Sequence, residues 1–185
     1  MIGWGFCGSF CTMEKSISAM AKLTQSSEIL PIFSYSVQNT VTRFGTPEHF
    51  RNEVETITGK KILSTIEACE PIGPKNLLSA MIISPCTGNT LAKIANGITD
   101  TPVTMAAKAH LRNNRPLIIA LATNDAMSAN FKNLAALIER KNIYFVPLVQ
   151  DDTVNKPCSL VADFSQIEKT LEYALNGIQI RPLFL

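Results

Sequence analysis

The chain has 185 residues, 46% of them hydrophobic and 17% charged, with 17 Lys and Arg against 15 Asp and Glu for a formal charge of +2. That balance is globular, which excludes a disordered chain, and the scattered basic residues exclude a nucleic-acid-binding stripe. No apolar run approaches the roughly 20 residues a bilayer span needs, and no signal-peptide pattern opens the chain, so no membrane association is expected.

In chain order, IGWGFCGS (2–9) reads as a strand running into a turn. A helix follows over 12–25, with Met13, Ile17, Met20 and Ala21 on one face. EILPIFSYS (28–36) is a second apolar run, and 47–57 reads as a helix with Thr46 as N-cap and Pro47 in the first turn. KKILST (60–65) reads as a short strand, and SAMIISP (79–85) as a buried strand stopped by Pro85. Leu91, Ile94, Ala95 and Ile98 form the stripe of the next helix, and Thr101-Pro102 opens another that runs to about Leu111. PLIIALAT (116–123) is the clearest strand, followed by a helix over 126–141 through Met127, Phe131, Leu134, Ala135 and Ile138. IYFVPLV (143–149) reads as a strand, 150–162 as a polar loop that could form a lid, and 165–178 as a last helix. Strands alternating with helices imply parallel pairing through right-handed crossovers. The expected fold is α/β: a flavodoxin-like or Rossmann-like doubly wound parallel sheet in a three-layer αβα sandwich, one domain over 1–185. Its ligand belongs beyond the carboxyl ends of the strands, at the topological switch point.

Gly3, Gly5 and Gly8 match G-x-G-x-x-G formally. A dinucleotide site needs a strand before the first glycine and an acidic residue ending the second strand. Only Met1 and Ile2 precede Gly3, and the second run ends in Ser34-Tyr35-Ser36. Two readings of Gly8-Ser9-Phe10-Cys11-Thr12 remain: an anion cradle of backbone N–H groups and hydroxyls, or a plain strand-to-helix turn. SPCTGNTLAKIANGITD (84–100) is more specific, because Ser84, Thr87, Asn89, Thr90 and Lys93 crowd one strand-to-helix connection. A helix cap needs one such residue. The cysteines (Cys7, Cys11, Cys69, Cys86 and Cys158) are odd in number, widely spaced and without CxxC, which suggests reduced thiols in a cytoplasmic protein. His49 and His110 lie in no zinc-ligand pattern, so no metal is expected.

PCTGNTLAKIANGITD (85–100) resembles the P-x-[ST]-x-N-T-x-A-K-x-A-x-G-I-x-D signature of the FMN-binding flavoproteins related to homo-oligomeric cysteine decarboxylases, a group that includes flavin prenyltransferases. GFCGSFCT (5–12) resembles their first phosphate loop. ALATNDAM (120–127) resembles their A-x-M-N-x-x-M segment, with Thr123 in place of Met. The resemblance implies that Gly8, Ser9 and Cys11 hold the FMN phosphate, with Ser34 or Ser36 beside it. It implies that Pro85, Cys86, Thr87, Asn89 and Thr90 line phosphate, ribityl and ring, and that Asn124 and Met127 face the pocket. It also implies a homo-oligomer, a trimer or a multiple of trimers.

FSYSVQNTVTRFGTPEHF (33–50) and KPCSLVADFSQIEKTLEYALNG (156–177) are similar to one branch of this family. Its members work beside a second protein that carries the NAD(P) domain. The implied task is net oxidation and dehydration of a tetrahydrodipicolinate-derived precursor to pyridine-2,6-dicarboxylate, in the mother cell of a sporulating bacterium. A dicarboxylate substrate calls for a guanidinium, and Arg43 is the candidate, against the reading of a solvated loop arginine. The decarboxylases' catalytic His would fall near Pro71, where this chain has none. The competing functions are a stand-alone flavin-dependent decarboxylase, against which that absence weighs, a flavin prenyltransferase of the same fold, and a non-catalytic scaffold for the partner. Cys86 reads as a nucleophile or as a buried thiol beneath the cofactor, and Lys93 as a phosphate contact or a solvated side chain. Trp4, Cys7 and His110 read as structural.

Overall fold

The computed structural model describes all 185 residues. Its strands are β1 (Ile2–Phe6), β2 (Ile29–Phe33), β3 (Ala80–Cys86), β4 (Leu117–Thr123), β5 (Ile143–Phe145), β6 (Leu148–Val149) and β7 (Leu160–Ala162). The helices are α1 (Met13–Leu23), α2 (Tyr35–Asn39), α3 (Pro47–Thr58), α4 (Ile66–Cys69), α5 (Gly88–Ala95), α6 (Pro102–Leu111), α7 (Phe131–Ile138) and α8 (Ile167–Leu175). The sheet order is β2-β1-β3-β4-β7-β6, and β5 also pairs with β4. Strands β1 to β5 are parallel, so the chain runs outward from β1 to β2, then crosses back to β3 and continues to β4 and β5. The switch point therefore lies between β1 and β3. Right-handed crossovers place α1 and α8 on one face and α4, α5, α6 and α7 on the other. β1 and β3 are buried along their whole lengths, as strands covered on both faces must be.

Several sequence expectations need correction. The sheet is mixed: β7 lies antiparallel to β4 and to β6. β5 occupies the edge of β4 at Leu117–Ile119, and β7 takes the same edge at Ala122 and Thr123. The run 143–149 is broken at Val146-Pro147, so its second half turns into β6, and the supposed loop 150–162 ends in a strand. Residues 60–65 form only an isolated bridge, Ile32 to Leu63. Pro85 does not stop β3, which runs on to Cys86 across a cis Ser84–Pro85 bond and a register shift. That junction is buried and fastened: the Ser84 carbonyl accepts from Trp4 Nε1 at 3.0 Å and from Ser16 Oγ at 2.6 Å. The helix expected over 126–141 is confined to 131–138, for a reason that lies in its own polar side chains, described below.

Candidate functional site

The carboxyl ends of β1, β2, β3 and β4 open on one side of the sheet. Cys7 N donates to Pro85 O at 3.2 Å, and Ser34 N donates to Phe6 O at 3.0 Å, so the ends of β1, β2 and β3 are laced together. On the β1–β2 half, Gly8 follows β1 directly. A β-carbon at Gly8 would stand 3.0 Å from Ser36 Cβ, so the loop passes tightly over the first turn of α2. The Gly8 N–H has no acceptor within the chain. Ser9 closes a short 3₁₀ turn: its carbonyl and its hydroxyl both accept from Thr12 Oγ1, at 2.9 and 3.2 Å. Cys11 is exposed in that turn.

Ser34 stands at the end of β2 with 6% of its surface exposed, and its hydroxyl has no hydrogen-bond partner. A buried hydroxyl left unpaired costs about 1–3 kcal/mol, so a ligand oxygen beside it would be stabilising. It is the only buried side-chain oxygen or nitrogen in the chain in that condition. Ser36 is exposed one step further along.

On the β3–β4 half, Thr87 caps α5: its Oγ1 accepts from Thr90 N and Thr90 Oγ1 lies on it, both at 3.2 Å. Thr90 Oγ1 also contacts Cys7 Sγ at 3.3 Å, which joins this half to β1. Asn89 is exposed beside them with its amide free. Pro85 and Cys86 are buried in β3 and form the floor. Burial pushes the Cys7 thiol up to about 11 and, with Cys7 alongside, raises Cys86 well above its ordinary value. Both are protonated thiols at neutral pH, which removes Cys86 as a ready nucleophile.

Asn124 is exposed in the turn that leaves β4, and Met127 is 38% exposed, with its N–H donating to Cys158 O at 3.0 Å. The β6–β7 loop thus leans on this turn. It is held by its own bonds: Asp151 accepts from Ser159 Oγ at 2.7 Å and pairs with Lys156 at 3.2 Å. The Ser159 hydroxyl, with Lys156 adding to it, keeps the Asp151 carboxyl below the usual range.

Gly8, Ser9, Cys11, Ser34, Ser36, Thr87, Asn89, Thr90, Asn124 and Met127 therefore gather at one end of the sheet. Arg43 stands apart from them. It is exposed in the turn between α2 and α3, its guanidinium 4.8 Å from the Phe44 ring, with no hydrogen bond or ion pair. Lys93 pairs with Asp100 at 2.8 Å. His110 is buried with Nε2 2.9 Å from Pro116 O. Sequence reasoning misses Asp125 and Asn130, which fill the turn beside Asn124. The acidic residue next to that asparagine is the available signal. No three His, Cys, Asp or Glu side chains lie close enough to hold a metal ion, and no helix is long and apolar enough to cross a membrane. A cavity of about 660 Å³ lies elsewhere, between α1 and the β6–β7 arm, walled by Ala19, Leu23, Val161 and Phe164. The laced strand ends, with their free donors and the orphaned Ser34 hydroxyl, have the better chemistry for a polar ligand.

Comparison with known proteins gives the family and the fold. Residues 1–173 match the family described as Flavoprotein. The chain is 42% identical over all 185 residues to the B subunit of dipicolinate synthase from Bacillus subtilis, covering 92% of that protein. The crystal structure of the dipicolinate synthase B subunit from Bacillus halodurans superposes with a TM-score of 0.91 at 40% identity, covering 100% of this chain and 95% of the other. Burkholderia xenovorans DmrB in complex with FMN, a cubic protein cage for redox transfer, shares the fold. Its TM-score is 0.70 at 16% identity, with 95% and 94% of the two chains covered.

Proposed function

Since the chain belongs to the Flavoprotein family, and within it to the dipicolinate synthase B subunits, we propose that it binds FMN at the strand ends and serves as the flavin subunit of a two-subunit oxidoreductase. The partner is the A subunit, which carries NAD(P), and the product is dipicolinate. The observation that carries this reading is the Ser34 hydroxyl, buried and without a partner at the end of β2, next to the Gly8 loop. A phosphate oxygen would satisfy it, and the free Gly8 N–H and the Ser9 and Ser36 hydroxyls surround the same place. The donor set is neutral, so it suits an anion held by hydrogen bonds.

In this reading Gly8, Ser9, Cys11, Ser34 and Ser36 hold the phosphate. Thr87, Asn89 and Thr90 line the ribityl chain and ring above the floor of Pro85 and Cys86. Asn124 offers its amide to the substrate, and Met127 shields the site from water together with the β6–β7 loop. Arg43, exposed in the turn between α2 and α3, stands outside this cluster and takes no part in it. Bound FMN supplies an electron acceptor for the net oxidation that aromatisation requires, while the protein groups orient it and exclude solvent. The chain works as a homo-oligomer, a trimer or a multiple of trimers, in the cytoplasm of the mother cell.

The deciding experiment is a visible spectrum of the purified chain, a titration with FMN, and reconstitution with the A subunit. Saturable binding lost in Asn89→Ala, and turnover that needs both proteins, are the expected results. Absence of FMN binding, alone and with the A subunit, overturns the flavin role and leaves a scaffold for the partner.

A further inference from the structure

Asp125 follows Asn124 in the turn after β4. Thr123 Oγ1 donates to Asp125 Oδ1, and Asn130 Nδ2 donates to Oδ2 at 2.9 Å. The Asp125 carbonyl accepts from the N–H groups of Ser128 and Asn130, both at 3.1 Å. Asn130 is buried and is held in turn, because its Oδ1 accepts from Asn133 Nδ2 at 2.9 Å. Asn133 Oδ1 accepts from Asn96 Nδ2 at 3.4 Å, at the far end of α5. A relay of side chains thus runs from the end of β4 along α5. Its first members close on Gly88, the first residue of α5. A β-carbon there would stand 2.5 Å from Asn130 Nδ2, 2.6 Å from Thr123 Oγ1 and 2.8 Å from Asp125 Oδ1. The carboxylate therefore lies against the positive end of α5, where it is electrostatically favoured and where it opposes a second anion.

We propose that Asp125 is a positioning residue with two effects. It clamps the 124–130 turn, and with it Asn124 and Met127, to the first turn of α5. It also puts a fixed negative charge on the β3–β4 half of the site. The anionic part of a ligand is then directed to the Gly8–Ser34 half, where the donors are unopposed. The part beside Asp125 is a neutral, electron-accepting ring. A negative charge there opposes electron uptake and lowers the reduction potential of the ring. This second effect rests on the FMN reading above; the first stands without it.

Two variants separate the effects. Asp125→Asn keeps the size of the side chain and one acceptor oxygen but removes the charge. Asp125→Ala removes both. Hydrogen exchange on the chain without cofactor tests the clamp. Exchange at the 124–130 amides is expected to speed up about tenfold in Asp125→Ala and less in Asp125→Asn. Unchanged exchange in both variants overturns the clamp, and Asp125→Asn alone decides it if Asp125→Ala does not fold. The midpoint potential of bound FMN tests the charge: Asp125→Asn is expected to shift it to a more positive value, a change that loss of packing alone does not dictate. An unchanged or more negative potential overturns the charge effect. A wild-type chain that takes up no FMN overturns the cofactor reading and the charge effect together, while the exchange result still decides the clamp.

Discussion

Ser34 sets two requirements against each other. Without a ligand its buried hydroxyl is a liability, and with a phosphate beside it the same hydroxyl becomes a contact. Ser34→Ala is therefore expected to raise the urea midpoint of the apoprotein, by an amount corresponding to about 1 kcal/mol, and to weaken FMN binding about tenfold. A merely structural serine would move both quantities in the same direction. The thiols give a second residue-scale prediction. Cys7, Cys69 and Cys86 are buried, and burial holds Cys7 at about 11 and Cys69 at about 12. Cys11 is exposed and Cys158 half-buried. A thiol reagent at neutral pH is expected to label Cys11 and Cys158 in the native chain, and all five only after unfolding. Rapid labelling of Cys86 in the native chain would contradict the protonated, buried floor of the site.

At the scale of elements, Gly88 is the tightest point of the site. Nothing in its backbone requires glycine, since its φ lies outside the left-handed region; the side chains of Thr123, Asp125 and Asn130 do. Gly88→Ala must push apart three polar groups that bond to one another. It is expected to cost about 1–3 kcal/mol in urea unfolding and to abolish FMN uptake. The same residues show what the sequence could and could not disclose. The helix at 47–58 was legible because Thr46, Pro47 and the apolar spacing all act within a few residues, and Thr46 Oγ1 does accept from His49 N. The apolar run of β4 was legible for the same reason. The start of α7 was not: Met127 lies in phase with Phe131, yet Asp125 and Asn130 spend their side chains on each other and on Thr123. The backbone before 131 stays in turns. β6 and β7, two and three residues long, are too short to carry a period. Of the candidate site, the polar residues of the Gly8 and Thr87 loops and of the Ser34 strand end were readable from their places after strands, while Asn124 and Met127 came from the family resemblance. The unpartnered state of Ser34 and the packing on Gly88 depend on segments far away in the chain.

At the scale of the whole molecule, His110 ties α6 to the entrance of β4 through the Pro116 carbonyl. Burial lowers its pKa below the ordinary 6.5, against a smaller opposing effect of that hydrogen bond. The folded state therefore resists the proton that the unfolded state accepts. The associated stability is present above about pH 6.5 and is lost as pH falls from there toward the folded value, with a slope of at most about 1.4 kcal/mol per pH unit. Urea midpoints measured from pH 7.5 to 5.5 are expected to decline in the wild type and to decline less in His110→Gln. Equal declines would remove His110 as the cause.

The shared edge of β4 has a consequence in time. Strands β1 to β5 and the helices between them are built from the first 145 residues, each pairing with a neighbour reached by one crossover. The wall beside Thr123 is completed only when Leu160–Ala162 returns from the far side of β6. A chain leaving the ribosome can thus form its parallel sheet while the proposed ligand site still lacks one side. The closure that finishes this wall comes last in chain order, although the β1–β3 pairing, Ile2 with Ala80, joins residues further apart in the sequence than Ala122 and Val161. Competence of the proposed site is expected to follow the arrival of residues 160–162, not the formation of the parallel core.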